Sequence, residues 1–303
     1  MILATKTLAA IEQALEKDQG ARYRGLLRET MAKVEDAYNP KEEQFRRHLG
    51  ASLIGRECAR ELWYSFHWAT SKRHDGRMVR LFNRGHLEEG RFVALLQLIG
   101  CEVWQHTQDG KQFRISGHRG HFGGSLDAVV KALPDLPAGV PALAEFKTHG
   151  EKSFLKLTAN GVLQAKPEHF IQMQCYMGYY SLSYGLYLAV NKNTDELHGE
   201  IIQFDATVAD RYAARAGMVI DSRTPPPKIN TSPGWFACKF CDHRPVCHLK
   251  ELPAKTCRSC VNSTAHDNGT WLCGIKPSPS ILTEEDQLKA CFSYTSNPAF
   301  KTP

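Results

Sequence analysis

The chain has 303 residues, of which 42% are hydrophobic and 23% charged, and it carries a formal net charge of +6. This composition is typical of a folded soluble protein of one large or two modest domains. No apolar run approaches the roughly 18 residues of a membrane span, and the N-terminus lacks the pattern of a signal peptide, so we expect a cytoplasmic protein without membrane association.

Periodicity predicts the elements of the main body in chain order. Apolar residues at helical spacing predict helices over 1–35, 43–70 and 78–99, the last two separated by a basic loop. The period then changes to that of strands, which predicts one antiparallel meander over 101–107, 111–117 and 125–133. The remaining predicted elements are strands over 141–149, 185–191 and 199–205 and helices over 167–183 and 206–221. Together they predict an α/β fold, a mixed sheet flanked by helices.

A run rich in Pro, Gly and Ser over 223–235 ends this regular part of the chain. We therefore predict an N-terminal helical segment over 1–40, a core over 41–250 and a cysteine-rich tail over 251–303. The tail shows little apolar periodicity, so it would need bound metal to hold a shape.

Ten cysteines in a chain without an export signal favour metal ligation over disulfides. Seven of the ten follow residue 237. The question is which metals the thiols hold.

Acidic and basic side chains lie on two predicted strands. Asp127 lies in one, and Glu145 and Lys147 share a face of the next because alternate side chains of a strand point the same way. Carboxylate oxygens converging on one point suit Mg²⁺ or Mn²⁺, and an ammonium beside them can orient the attacking water. The alternative is a solvated ion pair on the sheet surface.

Two predicted helices carry further polar residues at matching intervals. Gln172 and Tyr176 are four residues apart and therefore share a helical face, where they could meet DNA or Lys147. Upstream, Gly85 precedes Glu89 by four residues, with His86 between them.

In this order the residues resemble the motifs of the PD-(D/E)xK nucleases of the RecB type. The resemblance implies a restriction-endonuclease-like core in which Glu89, Asp127, Glu145 and the backbone carbonyl of Phe146 hold Mg²⁺ or Mn²⁺. It also implies catalytic roles for Lys147, Gln172 and Tyr176. His86 remains an alternative to Glu89 as the helical ligand, and Leu126 stands where the family has a proline.

Cys238, Cys241 and Cys247 form a three-thiol group that needs a fourth ligand, and Cys58 stands alone far upstream. This arrangement resembles the [4Fe–4S] site of RecB-type iron–sulfur exonucleases such as the AddB nuclease domain, the CRISPR-adaptation exonucleases and phage relatives. The alternatives are zinc at the three downstream thiols and Cys58 as a buried apolar residue. Cys101 and Cys175 have no partners in spacing and are predicted core residues.

The last four thiols begin with a CxxC pair. Cys257, Cys260, Cys273 and Cys291 are adequate for a structural Zn²⁺, and His266 could replace Cys291. The alternative is a loosely ordered tail with free thiols.

Basic and aromatic residues recur together before the acidic strands, which favours DNA, single-stranded or with free ends. The set comprises Arg56, Arg60, Trp63, Lys72, Arg73, Arg77, Arg80, Arg84, His118, Arg119 and His121. A solvated helix face would explain part of it.

The resemblance therefore implies a Mg²⁺- or Mn²⁺-dependent DNA exonuclease with a structural cluster, acting in recombination, replication or DNA degradation. The competing hypotheses are an inactive iron–sulfur DNA-binding module and an iron–sulfur electron carrier.

Overall fold

The computed structural model describes residues 1–40, 45–71, 73–275 and 279–301. Its α-helices are α1 (Thr5–Lys17), α2 (Ala21–Met31), α3 (Glu35–Tyr38), α4 (Ala59–Phe66), α5 (Gly76–Leu98), α6 (Glu151–Ala165), α7 (Pro167–Tyr180), α8 (Ala206–Asp221), α9 (Phe236–Lys239), α10 (Arg244–His248) and α11 (Glu284–Lys289). Its strands are β1 (Leu49–Gly50), β2 (Glu102–Trp104), β3 (Arg114–Gly117), β4 (Phe122–Ser125), β5 (Ala128–Lys131), β6 (Ala142–His149), β7 (Tyr184–Asn191), β8 (Leu197–Gln203), β9 (Ser263–Ala265), β10 (Trp271–Cys273) and β11 (Ser280–Ile281). The mixed α/β class predicted from the sequence is confirmed. In the part of the chain so described, no helix has the length and apolarity to cross a lipid bilayer.

The chain divides into two compact units, each assembled from separate stretches of sequence. The first unit comprises Met1–Lys41, His74–Arg114 and Ser125–Ala209, and the second comprises Glu42–Arg73, Ile115–Gly124 and Asp210–Pro303. The predicted domains 1–40, 41–250 and 251–303 stay a prediction.

A five-stranded mixed sheet in the order β2-β5-β6-β7-β8 forms the centre of the first unit. Strand β6 runs antiparallel to β5 and parallel to β7, with helices α6 and α7 in the connection to β7. This crossover is what a parallel pair requires. Small and branched apolar side chains of these strands form the core together with Phe92 and Leu96 of α5, so β6 is a central strand covered by packed elements.

The second unit has little regular structure and an aromatic interior. Two three-stranded sheets, β1-β4-β3 and β11-β10-β9, and short helices make up much of it. Trp63, Trp68 and Trp271 are buried, and the guanidinium of Arg258 lies 3.9 Å from the ring centroid of Trp68 and 4.9 Å from that of Trp271. A buried cation between aromatic faces stabilises this interior by about 2 kcal/mol or more per favourable contact.

Three predicted features are wrong. The predicted helix over 43–70 forms only as α4, because residues before it supply the short strand β1 and a ring, Phe45, that stacks on Trp68 at 4.9 Å. The predicted meander is split, because a left-handed turn at His118 and Arg119 leads β3 into β4 beside β1, whereas β2 pairs with β5.

The third difference is helix α6, which lies where no element is predicted. Asn160-Gly161 is a typical turn signal, and Gly161 does adopt a positive φ of 72°, yet the helix continues past it as a kink. The predicted elements at 78–99, 141–149, 167–183, 185–191, 199–205 and 206–221 are confirmed within a few residues at their ends.

Candidate active site

Strand β6 presents the predicted Glu145 and Lys147 from the middle of the central sheet. The strand has apolar neighbours on both sides because it pairs with β5 and β7, so polar side chains on it become buried. Asp127 lies immediately before β5, the antiparallel neighbour of β6. The topology therefore brings the three predicted residues together.

The carboxylate of Glu145 is fully buried, at 0% exposure. Its Oε1 atom accepts hydrogen bonds from Lys147 Nζ and, at 2.8 Å, from Gln172 Nε2. Its Oε2 atom is buried without a hydrogen-bond partner among the described residues. Burial raises the pKa of Glu145 to about 8, against the opposing effect of the Lys147 ammonium. A solvated surface ion pair, the alternative considered above, is therefore excluded for this residue.

Asp127 is held by the backbone of strand β6. Its Oδ2 atom accepts a 2.7 Å hydrogen bond from the N–H of Phe146 and lies 3.9 Å from Lys147 Nζ. The ammonium thus lies near both carboxylates and supplies the positive charge between them. The predicted role of the Phe146 carbonyl stays a prediction.

Lys147 is a protonated group in this setting. Burial lowers its pKa, but the neighbouring carboxylates of Glu145 and Asp127 outweigh that effect and raise its pKa overall. A lysine held in the charged form can orient a ligand or stabilise negative charge, and it cannot serve as a general base at neutral pH.

Helix α7 supports Glu145 from one side. Gln172 and Tyr176 are both buried on this helix, and Gln172 Nε2 lies 3.4 Å from Tyr176 Oη as well as contacting Glu145. The predicted sharing of one helical face is confirmed. Gln172 donates a hydrogen bond to the carboxylate of Glu145, so the amide fixes the orientation of the acid. The predicted contact of this helical face with DNA stays a prediction.

Helix α5 brings Glu89 to a cleft that Lys147 also lines. Glu89 Oε1 lies 3.4 Å from His86 Nδ1, and both residues line a cleft of about 1100 Å³ together with Lys147. Burial raises the pKa of Glu89, opposed by its contact with His86, and nearby Asp127 raises it further. The contact with Glu89 raises the pKa of His86. Glu89 is the less exposed of the two side chains, which favours it over His86 as the helical ligand.

The sequence interpretation missed a polar cluster that continues along the same face of β6. His149, two residues after Lys147, lies 2.9 Å from the hydroxyl of Tyr187, and His169 Nδ1 lies 2.9 Å from the same hydroxyl. Ser153 Oγ lies 3.3 Å from His149 Nδ1 and accepts a hydrogen bond from Lys166. The alternation Glu145, Lys147, His149 was the signal that could have found it.

The pKa values of both histidines are lowered in this cluster. Burial is the main cause, and it lowers the pKa of His149 to about 4 and that of His169 to about 3, with nearby lysines adding to the effect. Both rings are therefore neutral at pH 7 and can exchange hydrogen bonds with the Tyr187 hydroxyl.

In the second unit, the predicted iron–sulfur thiols line one small pocket, namely Cys58, Cys238, Cys241 and Cys247. Cys58 precedes α4 as its N-cap, so the predicted placement inside a helix is wrong by one residue. Burial raises the pKa of Cys241 to about 12, and it also raises the pKa of Cys238, with added effects from Cys58 and Cys247. These mutual effects place the distant cysteine beside the downstream group.

The predicted zinc thiols also gather. Burial raises the pKa of Cys257 to about 11, and Cys260, Cys291 and Cys273 raise it further in that order. His266 is not among the groups that act on Cys257, and its backbone carbonyl lies 2.6 Å from His121 Nε2. Cys257 donates its own thiol hydrogen to the carbonyl of Asp286.

These groups are not arranged as finished metal sites. Among residues 1–40, 45–71, 73–275 and 279–301, no set of three or more His, Cys, Asp or Glu side chains has the arrangement that would hold a metal ion. Metal binding at any of the predicted sites would require the side chains to adjust. Cys101 and Cys175 are buried, as predicted for core residues.

Part of the predicted DNA-binding set is buried and cannot contact DNA. Arg60, Trp63 and His121 are buried, and Arg60 Nε donates a 2.6 Å hydrogen bond to the carbonyl of Pro226. Lys72 lies outside the described residues. Arg77, Arg80 and Arg84 of α5 are exposed in the first unit.

Comparison with known proteins gives no sequence relative. No family model and no curated protein matches this chain. Among solved structures, SSO0001 is 18% identical with a TM-score of 0.38, covering 77% of this chain and 99% of that one. The alkaline exonuclease LHK-Exo of Laribacter hongkongensis is 14% identical with a TM-score of 0.41, covering 57% of this chain and 86% of that one, and its complex with dAMP matches at 16% identity with the same TM-score and coverage. At these scores neither a shared fold nor a shared function follows, so the geometry of the site has to support any functional proposal.

Proposed function

We propose that the first unit is a Mg²⁺- or Mn²⁺-dependent nuclease that hydrolyses phosphodiester bonds of DNA. The single observation that carries this proposal is the buried Glu145, whose Oε2 atom has no partner among the described residues. Leaving a carboxylate oxygen buried without a partner costs roughly 1–3 kcal/mol or more, and binding a cation would recover that cost.

The donor set suits a hard divalent cation. Glu145, Asp127 and Glu89 supply carboxylate oxygens on three neighbouring elements, and oxygen is the ligand atom that Mg²⁺ and Mn²⁺ prefer. When bound, such a cation polarises the phosphoryl group and lowers the pKa of a water molecule.

The residues of the chain have separate tasks in this proposal. Lys147, protonated and adjacent to Glu145, orients the attacking water and offsets negative charge that develops on the phosphate. Gln172 and Tyr176 are positioning residues because they act on the carboxylate of Glu145 rather than on the substrate. Exposed arginines of α5 offer contacts to the phosphate backbone.

End-directed cleavage of single-stranded or frayed DNA is the finer form of this proposal, with a role in recombination, replication or DNA degradation. Its support is the sequence resemblance alone. Digestion of linear substrates labelled at the 5′ or the 3′ end, compared with a circular substrate, tests it. Degradation of the circle at the rate of the linear DNA would overturn the exonuclease assignment.

The test of the nuclease proposal compares the chain with its Glu145→Gln variant on labelled linear DNA and Mn²⁺. We expect at least about a 100-fold loss of activity, because the buried oxygen that binds the cation is replaced by an amide. Glu102→Gln makes the same change at an exposed strand position and should have full activity. Equal rates for Glu145→Gln and the unsubstituted chain would refute the assignment. An unsubstituted chain that binds DNA without degrading it would favour the inactive module.

We also propose a [4Fe–4S] cluster on Cys58, Cys238, Cys241 and Cys247. The support is that the four thiols line a common pocket, and a cluster binds each thiolate at a different iron atom. Zinc would instead need four donors around one ion. Iron and sulfide analysis of anaerobically purified protein tests this proposal, and stoichiometric zinc without iron would overturn it.

For the tail we propose a structural Zn²⁺ on Cys257, Cys260, Cys273 and Cys291. The support is the CxxC spacing of Cys257 and Cys260, together with the effect of Cys260, Cys291 and Cys273 on the pKa of Cys257. Zinc analysis of Cys260→Ser and His266→Ala separates the alternatives, because only the first should lose zinc. Retention of zinc by Cys260→Ser would refute this ligand set.

A further inference from the structure

Three aromatic side chains lie exposed on the surface of the second unit beside Cys238. Trp235, Phe236 and Phe240, here called the aromatic ridge, are 51%, 77% and 68% exposed. The rings of Phe236 and Phe240 are 5.3 Å apart, one turn apart along the chain, and the site chemistry proposed above uses none of the three. Exposed aromatic surface of this kind is unfavourable in water and usually marks a binding site.

The ridge is presented on a hydrogen-bonded turn. The Ser232 N–H donates to Asn230 Oδ1 at 2.8 Å, the Trp235 N–H donates to the Ser232 carbonyl at 3.2 Å, and the Lys239 N–H donates to the Trp235 carbonyl at 2.7 Å. Arg244 Nε ties the same turn through the carbonyl of Pro233. The backbone that carries the rings is therefore held in place before any ligand arrives, which reduces the ordering cost of binding.

The charge of the surrounding chain selects the class of ligand. Between Asp221 and Asp242 the sequence contains Arg223, Lys228 and Lys239 and no Asp or Glu. Lys239 Nζ lies 5.5 Å from the ring centroid of Phe240, so one cation is directly beside the aromatic surface. Glu61 and Asp242 act on the thiols of this segment, Glu61 on Cys238 and both on Cys241, so Lys239 is the charge placed directly at a ring. Aromatic faces with a cation against them complement a polyanion that carries flat rings.

We propose that the aromatic ridge is a stacking platform for unpaired bases of single-stranded DNA, with Lys239 beside the phosphates. The bases of a duplex already stack on one another, so only unpaired bases can cover these rings. The proposal deepens the proposed function and rests on it for DNA as the ligand. It assigns a DNA contact to the second unit.

The test measures binding in the absence of added divalent cation, so that no cleavage is needed. Fluorescence anisotropy compares a labelled thymidine oligonucleotide with an abasic oligonucleotide of equal length, which has the same phosphates without the bases. We expect the unsubstituted chain to prefer the thymidine strand. The Phe236→Ala/Phe240→Ala variant should lose at least about fivefold of that preference, since stacking contributes about 1–3 kcal/mol per base. Met218→Ala, at 69% exposure in the same unit, is the matched control and should leave the preference unchanged.

Phe236→Leu keeps apolar bulk at the most exposed position and removes only the aromatic ring. This variant replaces the double variant in the test if the double variant loses iron or helical structure. It should also reduce the base preference. An unchanged preference in a folded variant with full iron content would overturn the proposal. A second outcome would also overturn it: the unsubstituted chain forms a concentration-dependent dimer in sedimentation, and the double variant abolishes this dimer but keeps the base preference. The ridge would then bind a second copy of the chain. DNA degradation by the unsubstituted chain and its loss in Glu145→Gln are measured separately, so failure of the ridge leaves the nuclease proposal intact.

Discussion

The acidic centre of the first unit and the thiol groups of the second unit differ in how many hydrogen bonds and ion pairs the protein itself forms with them. Around Glu145, the chain supplies an ammonium, an amide and a backbone N–H that hold the carboxylates in place. The thiols of Cys58, Cys238, Cys241 and Cys247 share a pocket in which burial raises the pKa of Cys238 and Cys241.

The interiors of the two units differ in the same way. An aliphatic core on a five-stranded sheet supports the acidic centre, whereas the thiols belong to a unit of short helices, three-stranded sheets and clustered rings. A unit with so few regular elements gains most from cross-links. We infer that the first unit uses its metal for chemistry and that the second uses its metals for shape.

Removing one cluster ligand should have the largest effect on this comparison. Cys58→Ala should lose iron and reduce the stability of the second unit by several kcal/mol, since structural metal sites contribute on the order of 10 kcal/mol. Iron analysis and hydrogen exchange of the 235–248 segment measure this. The matched control is Cys101→Ala. Cys101 is a buried cysteine of the first unit, so this variant should keep the full iron content of the protein. Full iron content and unchanged exchange in Cys58→Ala would show that the second unit does not depend on the cluster.

The acidic centre was the more predictable of the two regions. Glu145 and Lys147 alternate along a strand, and alternation fixes a shared face whatever the surrounding fold is. The presence of Gln172 and Tyr176 on one helical face follows from spacing in the same way. The contact of Gln172 with Glu145 depends on how α7 packs on β6, and no local pattern encodes that packing.

Predictions failed where distant residues decide the local structure. The apolar spacing within 43–70 is helical, yet Phe45 is used to stack on Trp68, whose Nε1–H donates a 2.8 Å hydrogen bond to the carbonyl of Arg46. The burial of Arg258, a basic residue of the tail, among rings is another feature that distant residues decide. Burial of a cation by aromatic faces from other parts of the chain leaves no periodic signal.

Acid should lower the free energy of unfolding of the first unit through its own histidines, independently of any loss of metal from the second unit. The pKa of His149 falls from 6.5 to about 4 on folding and that of His169 to about 3, so between these values only the unfolded chain binds the protons. Stability is therefore complete above pH 6.5. It falls as the pH decreases toward 4, by about 1.4 kcal/mol per pH unit for each histidine.

Urea unfolding of the chain and of His149→Gln at several pH values measures this slope. The variant should show a shallower loss between pH 6.5 and 4, whereas His74→Gln, at an exposed position, should keep the original slope. An identical slope in His149→Gln would assign the acid sensitivity elsewhere, for instance to loss of thiolate-bound metal in the second unit.

Loss of the amide support to Glu145 should have a smaller effect that is confined to the acidic centre. Gln172→Leu removes the 2.8 Å hydrogen bond to Glu145 Oε1, and outer-shell partners of this kind are worth about 10- to 100-fold in metal affinity or activity. The Mn²⁺ concentration that gives half-maximal activity should rise accordingly. Gln174→Leu is the matched control, since Gln174 lies on the same helix but bonds the carbonyl of Gln203. An equal shift in both variants would mean that the effect is a general weakening of α7.

The smallest effect is expected for Tyr176→Phe, because the contact of its hydroxyl with Gln172, which supports Glu145, is a long one. The 3.4 Å separation of Gln172 Nε2 and Tyr176 Oη makes this a weak hydrogen bond, and a net loss of about 0.5–1 kcal/mol corresponds to roughly a two- to fivefold rise in the Mn²⁺ requirement. In the scheme in which the hydroxyl acts through Gln172, the double variant Gln172→Leu/Tyr176→Phe should be no worse than Gln172→Leu alone. An additive loss in the double variant would show that Tyr176 contacts the metal site or the DNA directly. The activity of the acidic centre would then depend on residues that contact metal or DNA more than on the residues that position Glu145.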